Sequence, residues 1–368
     1  MTIKKKTIGT SSLAKPSLDA FLHYSNLFIE EGQYSNNGPC VKLLEKRLAR
    51  FHKCKYCITF SNGFWGLVLA LDCLKLANRN EVLIPSLTYR RMADLVTWAE
   101  LKPVYYDIDP NTLTAKKQHI EEKLTQNTAA VLGVQPIVNC FPTYAIKQLC
   151  ENHKIPFIMD SVESAYEMNN GSKVGAQATV EVFSMHASKL LNGGEGGYAT
   201  TNEEYIYKKL SSLRGFGFEG PDNLKYENGI NAKLNEVHAA LALANLDSIE
   251  SLVRHNRRIY QSYKNELFDI PGIELIYFNE SEKTSYKNIV VKINTSFPLS
   301  RDQLEEYLNQ NSFLARSYYS PPLHIQNKTD VKLPNTESCS LNHLILPSGY
   351  QCTTKDVADI CKLIRSLK

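Results

Sequence analysis

The chain has 368 residues, a formal net charge of +4, 43% hydrophobic residues and nine cysteines. That length suits a large core and two domains, and so modest a charge gives no case for a nucleic-acid partner. No apolar run approaches the roughly 20 residues that span a bilayer, so no membrane partner is expected. The basic start, Met1-Thr2-Ile3-Lys4-Lys5-Lys6, is not followed by an apolar segment, so no secretory signal is expected either. An odd number of scattered cysteines fits reduced thiols and a cytoplasmic location. Cys54 and Cys57 have C-x-x-C spacing, but no second such pair exists, so no metal is expected.

Along the first 250 residues, short β-rich runs alternate with helical patterns. Strands are expected at Tyr56–Phe60, Glu81–Ile84, Pro103–Tyr106, Ala129–Val134, Pro156–Asp160, Val180–Ser184 and Gly197–Thr200. Cys40–His52 places Val41, Leu44, Leu48 and Phe51 near helical period. Phe64–Leu76 reads as a buried helix, and Thr143–His153 as another before Asp160. A long helix is expected from Leu234 to Arg258. A smaller domain then follows, with strands at Ile273–Phe278, Tyr286–Ile293 and Phe313–Tyr318 and helices at Ser300–Asn309 and Thr354–Leu367. The alternation predicts an α/β fold with a mostly parallel sheet. The domains expected are 1–258, large and carrying an N-terminal arm, and 259–368, small.

In such sheets, ligands bind beyond the C-terminal strand ends. Asn62-Gly63, Thr88-Tyr89, Asp160 and Ser184 all fall at such ends. Between Phe183 and Gly197 the chain reads Phe-Ser-Met-His-Ala-Ser-Lys-Leu-Leu-Asn-Gly-Gly-Glu-Gly-Gly. An acid closing a buried strand, then Ser184 and Lys189 on a Gly-rich loop, is the layout of a pyridoxal phosphate site. The lysine forms a Schiff base, the carboxylate keeps the pyridine nitrogen protonated, and the hydroxyl helps hold the phosphate. Taken singly, Lys189 reads as a solvated charge and Asp160 as a helix N-cap.

The ordered segments resemble the DegT/DnrJ/EryC1/StrS aminotransferases over nearly the whole chain. They are Asn37-Gly38-Pro39, Ser61-Asn62-Gly63-Phe64, Pro85-Ser86-Leu87-Thr88-Tyr89, Tyr106-Asp107-Ile108-Asp109, Asp160-Ser161-Val162-Glu163, Ser184–Gly197, Arg214-Gly215-Phe216-Gly217, Gly229–Glu236 and Pro321-Pro322-Leu323-His324. The resemblance implies a fold-type-I aminotransferase with a seven-stranded mixed, mostly parallel sheet and a smaller C-terminal α/β domain. It implies Lys189 as Schiff-base lysine and proton shuttle, and Asp160 as partner of the pyridine nitrogen. It further implies Ser184, Asn62, Gly63 and Phe64 around the phosphate, Tyr89 on the ring face, and Glu163 near the cofactor phenolic oxygen. Asn231, with Lys233 a weaker match, would reach the phosphate of a neighbouring subunit, so a homodimer with shared sites is implied.

Several residues depart from the family pattern. Phe64 stands where a Thr hydroxyl often binds phosphate. A Glu163 carboxylate would repel a phenolate unless protonated or turned to the substrate. Arg90 and Arg91 follow Tyr89 where small or apolar residues are usual; they are either crevice cations or a solvated pair. His186, His324 and Tyr319 are either substrate contacts or packing groups. The stretch 134–142 lacks the Gly-containing turn usual near there.

The activity implied is transfer of an amino group from L-glutamate to a keto group on a nucleotide-linked deoxysugar, best a dTDP-keto-6-deoxyhexose, as in O-antigen or other glycan assembly. Alternatives are an aminotransferase for a non-sugar cyclic ketone and a non-catalytic pyridoxal-phosphate-binding protein.

Overall fold

The computed structural model describes residues 7–367, so the basic segment at 1–6 lies outside the described residues. From the N-terminus run α1 (Leu18–Glu31), α2 (Pro39–His52), β1 (Tyr56–Phe60), α3 (Gly63–Leu74), β2 (Glu81–Pro85), α4 (Met92–Trp98), β3 (Lys102–Tyr106), α5 (Lys117–Glu121), β4 (Thr128–Val134), α6 (Thr143–Asn152) and β5 (Phe157–Asp160). A small hairpin, β6 (Met168–Asn169) and β7 (Ser172–Lys173), precedes β8 (Val180–Ser184) and β9 (Gly197–Thr201). Three helices follow: α7 (Glu204–Leu213), α8 (Glu236–Asp247) and α9 (Ile249–Leu267).

The large sheet has seven strands in the order β1-β9-β8-β5-β4-β2-β3. Strands β8, β5, β4, β2 and β3 are mutually parallel, and β9 runs antiparallel to both its neighbours. The connections explain the mixture. Parallel neighbours need a crossover, whereas β9 returns beside β8 through the short loop 185–196. Strand β5 is buried throughout, as expected for a sheet covered on both faces. Helix α3 buries Leu67, Val68, Leu69, Ala70 and Leu71 with the apolar residues of β1 and β8.

The long helix expected at Leu234–Arg258 is two helices. Ser248, at φ −96° and ψ 0°, separates α8 from α9. Helix α9 then continues to Leu267, straight through the 258/259 division. Its Leu252 and Val253 pack on one core, while Ile259, Tyr260, Tyr263 and Leu267 pack on another. The sequence does not reveal that break, because α8 is buried nearly all round and so carries no helical period to interrupt, while α9 keeps a single apolar face.

The C-terminal part contains β10 (Ile273–Leu275), β11 (Ile289–Ile293), α10 (Arg301–Gln310), β12 (Arg316–Ser317), α11 (Leu323–Gln326), α12 (Pro334–Asn342), β13 (His343–Leu346) and α13 (Thr354–Arg365). Its sheet has the order β10-β11-β13-β12. Three expected strands are shorter than read from sequence. Tyr286 takes φ +50°, so pairing starts only at Ile289, and only Arg316 and Ser317 pair in the segment expected at 313–318. Strand β13, between β11 and β12, went unread because it is four residues long and directly follows a helix. Among the described residues no helix is long and apolar enough to cross a membrane.

Glu236 ties the start of α2 to α8. Its fully buried carboxylate accepts N–H bonds from Gly38 (2.9 Å), Cys40 (2.6 Å) and Val41 (3.3 Å). A carboxylate on a helix N-terminus meets unpaired donors and the positive end of the dipole. Glu236→Gln is expected to destabilise the chain by about 2 kcal/mol, because an amide nitrogen would oppose N–H donors. Urea unfolding measures this; a loss under about 0.5 kcal/mol would contradict it.

Candidate active site

The site gathers where β1, β8, β5 and β2 end. The turn after β1 is set by Asn62, whose Oδ1 accepts the Trp65 N–H at 2.9 Å and caps α3. The N–H groups of Gly63 and Phe64 open that helix without intrahelical partners. Ser184 closes β8 next to them: a Cβ on Gly63 would lie 3.3 Å from the Ser184 Cβ. Gly197 makes the approach possible, since a Cβ there would lie 2.5 Å from the Asn62 carbonyl carbon and the Gly63 nitrogen. Phe64 packs edge-on against Trp65, with centroids 5.5 Å apart.

Asp160 ends β5 and is only 3% exposed. Its Oδ1 accepts the Val162 N–H at 3.1 Å; Oδ2 has no partner among the described residues. Burial pushes its carboxyl up to about 6, although that N–H and the Lys189 charge pull the other way. A buried carboxylate with one free oxygen fits a protonated ring nitrogen.

Lys189 sits in a turn in which its N–H donates to the His186 carbonyl at 2.9 Å. The loop around it is stitched shut by Met185 N–H to Gly196 O, Ala187 N–H to Gly194 O and Gly193 N–H to Met185 O. The arm at 8–14 reinforces it, with Ser12 and Leu13 donating to the Ser188 and Ala187 carbonyls. Lys189 Nζ donates to Glu163 Oε1 at 2.5 Å. Glu163 Oε2 accepts from Lys287 Nζ at 2.8 Å. Burial would raise the Glu163 carboxyl, but the two ammonium groups outweigh it and hold it at about 2. Glu163 is therefore ionised, so protonation does not relieve the repulsion expected from sequence; the ammonium groups on its two oxygens offset its charge instead.

The remaining expected residues are dispersed. Tyr89 is 50% exposed at the end of β2, free to cover a ligand face. Arg90 is exposed, and Arg91 is spent on Asp94 at 2.6 Å. His186 is exposed, with Nδ1 2.9 Å from Ser188 Oγ, and its ring makes no hydrogen bond to the Lys189 or Asp160 side chain. His324 is fully buried; its ring contacts Ser86 Oγ (2.7 Å) and Glu337 (3.1 Å) and so fastens α11 to the end of β2. That burial is at odds with a direct substrate contact. Tyr319 is half-buried against Tyr318, with ring centroids 4.7 Å apart, and burial, then the charges of Tyr318, Glu163 and Asp160, raise its phenol. Asn231 is exposed on a single chain, next to Ala232, whose carbonyl accepts the Ser61 N–H.

In the stretch 134–142, Asn139 supplies the left-handed turn at φ +65°, a conformation Asn tolerates. Its side chain donates to Tyr277 O and accepts from Asn279 N–H, pinning this edge to the C-terminal part. Lys287 was missed by sequence reasoning. Its signal was a lysine and an asparagine opening an apolar strand pattern, where inward polar groups need partners. Among the described residues no cluster of His, Cys, Asp or Glu could hold a metal.

A lysine, a buried acid, the unpartnered N–H groups that open α3 and the exposed Tyr89 ring are the residue types that suit a pyridoxal-phosphate-dependent aminotransferase. A family model of the DegT/DnrJ/EryC1/StrS aminotransferases matches residues 19–365, and the chain belongs to that family. It is 29% identical to a dTDP-4-amino-4,6-dideoxy-D-glucose transaminase from Shigella dysenteriae, over 99% of this chain and 100% of that one. It is 28% identical to a GDP-perosamine synthase from Vibrio cholerae, over 96% and 97%. The crystal structure of DesI with its TDP-sugar product superposes with a TM-score of 0.91 at 26% identity, covering 98% of this chain and 93% of that one.

The cradle suggests a gain-of-binding variant. Phe64→Thr is expected to tighten pyridoxal phosphate binding about fivefold: a hydroxyl-to-phosphate bond outweighs the lost contact with Trp65. Equilibrium titration by fluorescence checks it, and unchanged or weaker affinity would show that residue 64 does not face the phosphate.

Proposed function

We propose that the protein moves an amino group from L-glutamate to the keto group of a nucleotide-linked deoxysugar, best a dTDP-keto-6-deoxyhexose. The carrying observation is the crevice: Asp160 ends β5, Lys189 lies in the loop that leaves the adjoining β8, and Lys287 adds positive charge on the far side of Glu163. The full-length relatives named for dTDP- and GDP-linked sugars support the substrate class.

Bound pyridoxal phosphate supplies an electron sink for the carbon that exchanges its amine. Lys189 Nζ binds the cofactor and carries the proton at that carbon. Asp160 holds the ring-nitrogen proton by a charge-assisted bond. The Gly63 and Phe64 N–H groups and Ser184 hold the phosphate, with Asn62 shaping the turn. Tyr89 covers the ring face. Asn231 completes the phosphate site of a second copy in a homodimer. The nine free thiols suit a reducing cytoplasm, and glycan assembly such as O-antigen synthesis is the fitting pathway class.

The test is the visible spectrum of the loaded protein before and after L-glutamate. Bleaching of the yellow band, and its return on adding a dTDP-keto-sugar, are expected. Return with a non-sugar cyclic ketone alone would favour that alternative, and a band indifferent to every amino acid would revive a binding-only reading.

A further inference from the structure

We propose that Lys287 is a positioning residue that makes Glu163 tolerable beside the cofactor, by neutralising that carboxylate once Lys189 is committed to the cofactor. The proposal rests on the role given to Lys189 above. Lys287 is not a surface lysine reaching inward by chance. Its side chain is 3% exposed, and its Nζ bonds both Glu163 (2.8 Å) and Asn288 Oδ1 (3.1 Å). Its own carbonyl accepts the Ser348 hydroxyl at 2.7 Å, and Asn288 donates to the Ile137 carbonyl at 3.3 Å. Backbone and side chain are thus both fastened, from elements far apart in sequence.

In the unloaded chain Glu163 has two cations, one on each oxygen. When the Lys189 nitrogen is bonded to the cofactor, it can no longer serve as a free ammonium for Glu163. A buried carboxylate left with no cation is costly, and here it would also face a second acid, Asp160. Lys287 remains and leaves a neutral pair. The charged and titratable groups that face Glu163 are Lys189 from its loop, Asp160 from the end of β5, Tyr318 and Tyr319 after β12, and Lys287 itself. Arg316 acts on Lys287 and Tyr319. Because Lys287 comes from just before β11 and Glu163 from just after β5, the pair also latches the C-terminal part onto the cofactor turn.

The test uses Lys287→Met, Lys287→Arg and the double variant Lys287→Met with Glu163→Gln. In the loaded protein, the pH midpoint of the visible band is read. Loss of a nearby positive charge should raise that midpoint by about one to two units in Lys287→Met. Arginine should restore it, and so should the double variant, which removes both charges.

A second readout uses the unloaded protein. Glu163 has a depressed carboxyl pKa, so its pairing stabilises the fold above the ordinary carboxyl range, and that contribution is lost as pH falls toward 2. The melting-temperature gap between wild type and Lys287→Met should therefore stay level above about pH 5 and narrow as pH falls from there toward about 2.5. An unchanged band midpoint, or a gap constant with pH, would overturn the proposal and leave Lys287 a packing residue. Absence of any band in the wild type would instead sink the role given to Lys189, and the unloaded gap would then decide on Lys287 alone.

Discussion

Lys189→Ala is expected to abolish the visible band of the loaded protein and to lower kcat/KM by at least about 10³-fold. The one nitrogen both anchors the cofactor and carries the proton, so no neighbour replaces it. Lys287 is the nearest candidate, but it is held by Glu163 and Asn288. Removal also leaves Glu163 with one cation of two, so its carboxyl should rise from about 2. The unloaded variant should accordingly lose about 1–3 kcal/mol at neutral pH. Absorbance, single-turnover kinetics and urea unfolding measure the three effects. A variant that still showed a band bleached by L-glutamate would place the reactive amine elsewhere.

Asp160→Asn is expected to act in opposite directions on stability and on catalysis. In the folded, unloaded chain the Asp160 carboxyl is raised from 3.8 to about 6, chiefly by burial. A raised pKa means the folded chain binds the proton more tightly than the unfolded one. The resulting stability is present below about pH 4 and is lost as pH rises through 6. Above that, the native state carries a buried anion at a cost of about 2–3 kcal/mol. The unloaded variant should thus be more stable than wild type at pH 8 by about that amount, with the gap closing below pH 4. Cofactor binding should reverse the ranking, because a ring-nitrogen cation relieves the anion only in wild type, and kcat/KM should fall about 10²–10³-fold in the variant. Thermal melts across pH, with and without pyridoxal phosphate, test this. Equal melting at pH 8 for both unloaded proteins would refute the strained acid.

Much of the site was legible because its parts come in short contiguous runs. Ser184 and Lys189 share one loop, Asn62 and Gly63 share one turn, and Asp160 ends a visible strand. The seven large-sheet strands were legible for a similar reason: each is a compact apolar run after a helical pattern or a Gly-rich loop. The small sheet was less so. Tyr286 leaves extended backbone with φ +50°, a choice nothing in its own neighbourhood demands, and β13 is too short to show a period. His324 sits in a family segment, yet its ring is used up by Ser86 and Glu337, which no local pattern predicts.

By itself the sequence determined the α/β alternation, the lysine and the acid, and through them the cofactor. These follow from local period, turn chemistry and the few residue types that can do such chemistry. Only the tertiary structure decided that Glu163 is an ionised carboxylate clasped by two lysines. That outcome depends on Lys287, 124 positions away, being carried to the same buried point. Burial and charge pairing are properties of the assembled packing, and a linear pattern does not encode which distant side chains will share one dry crevice.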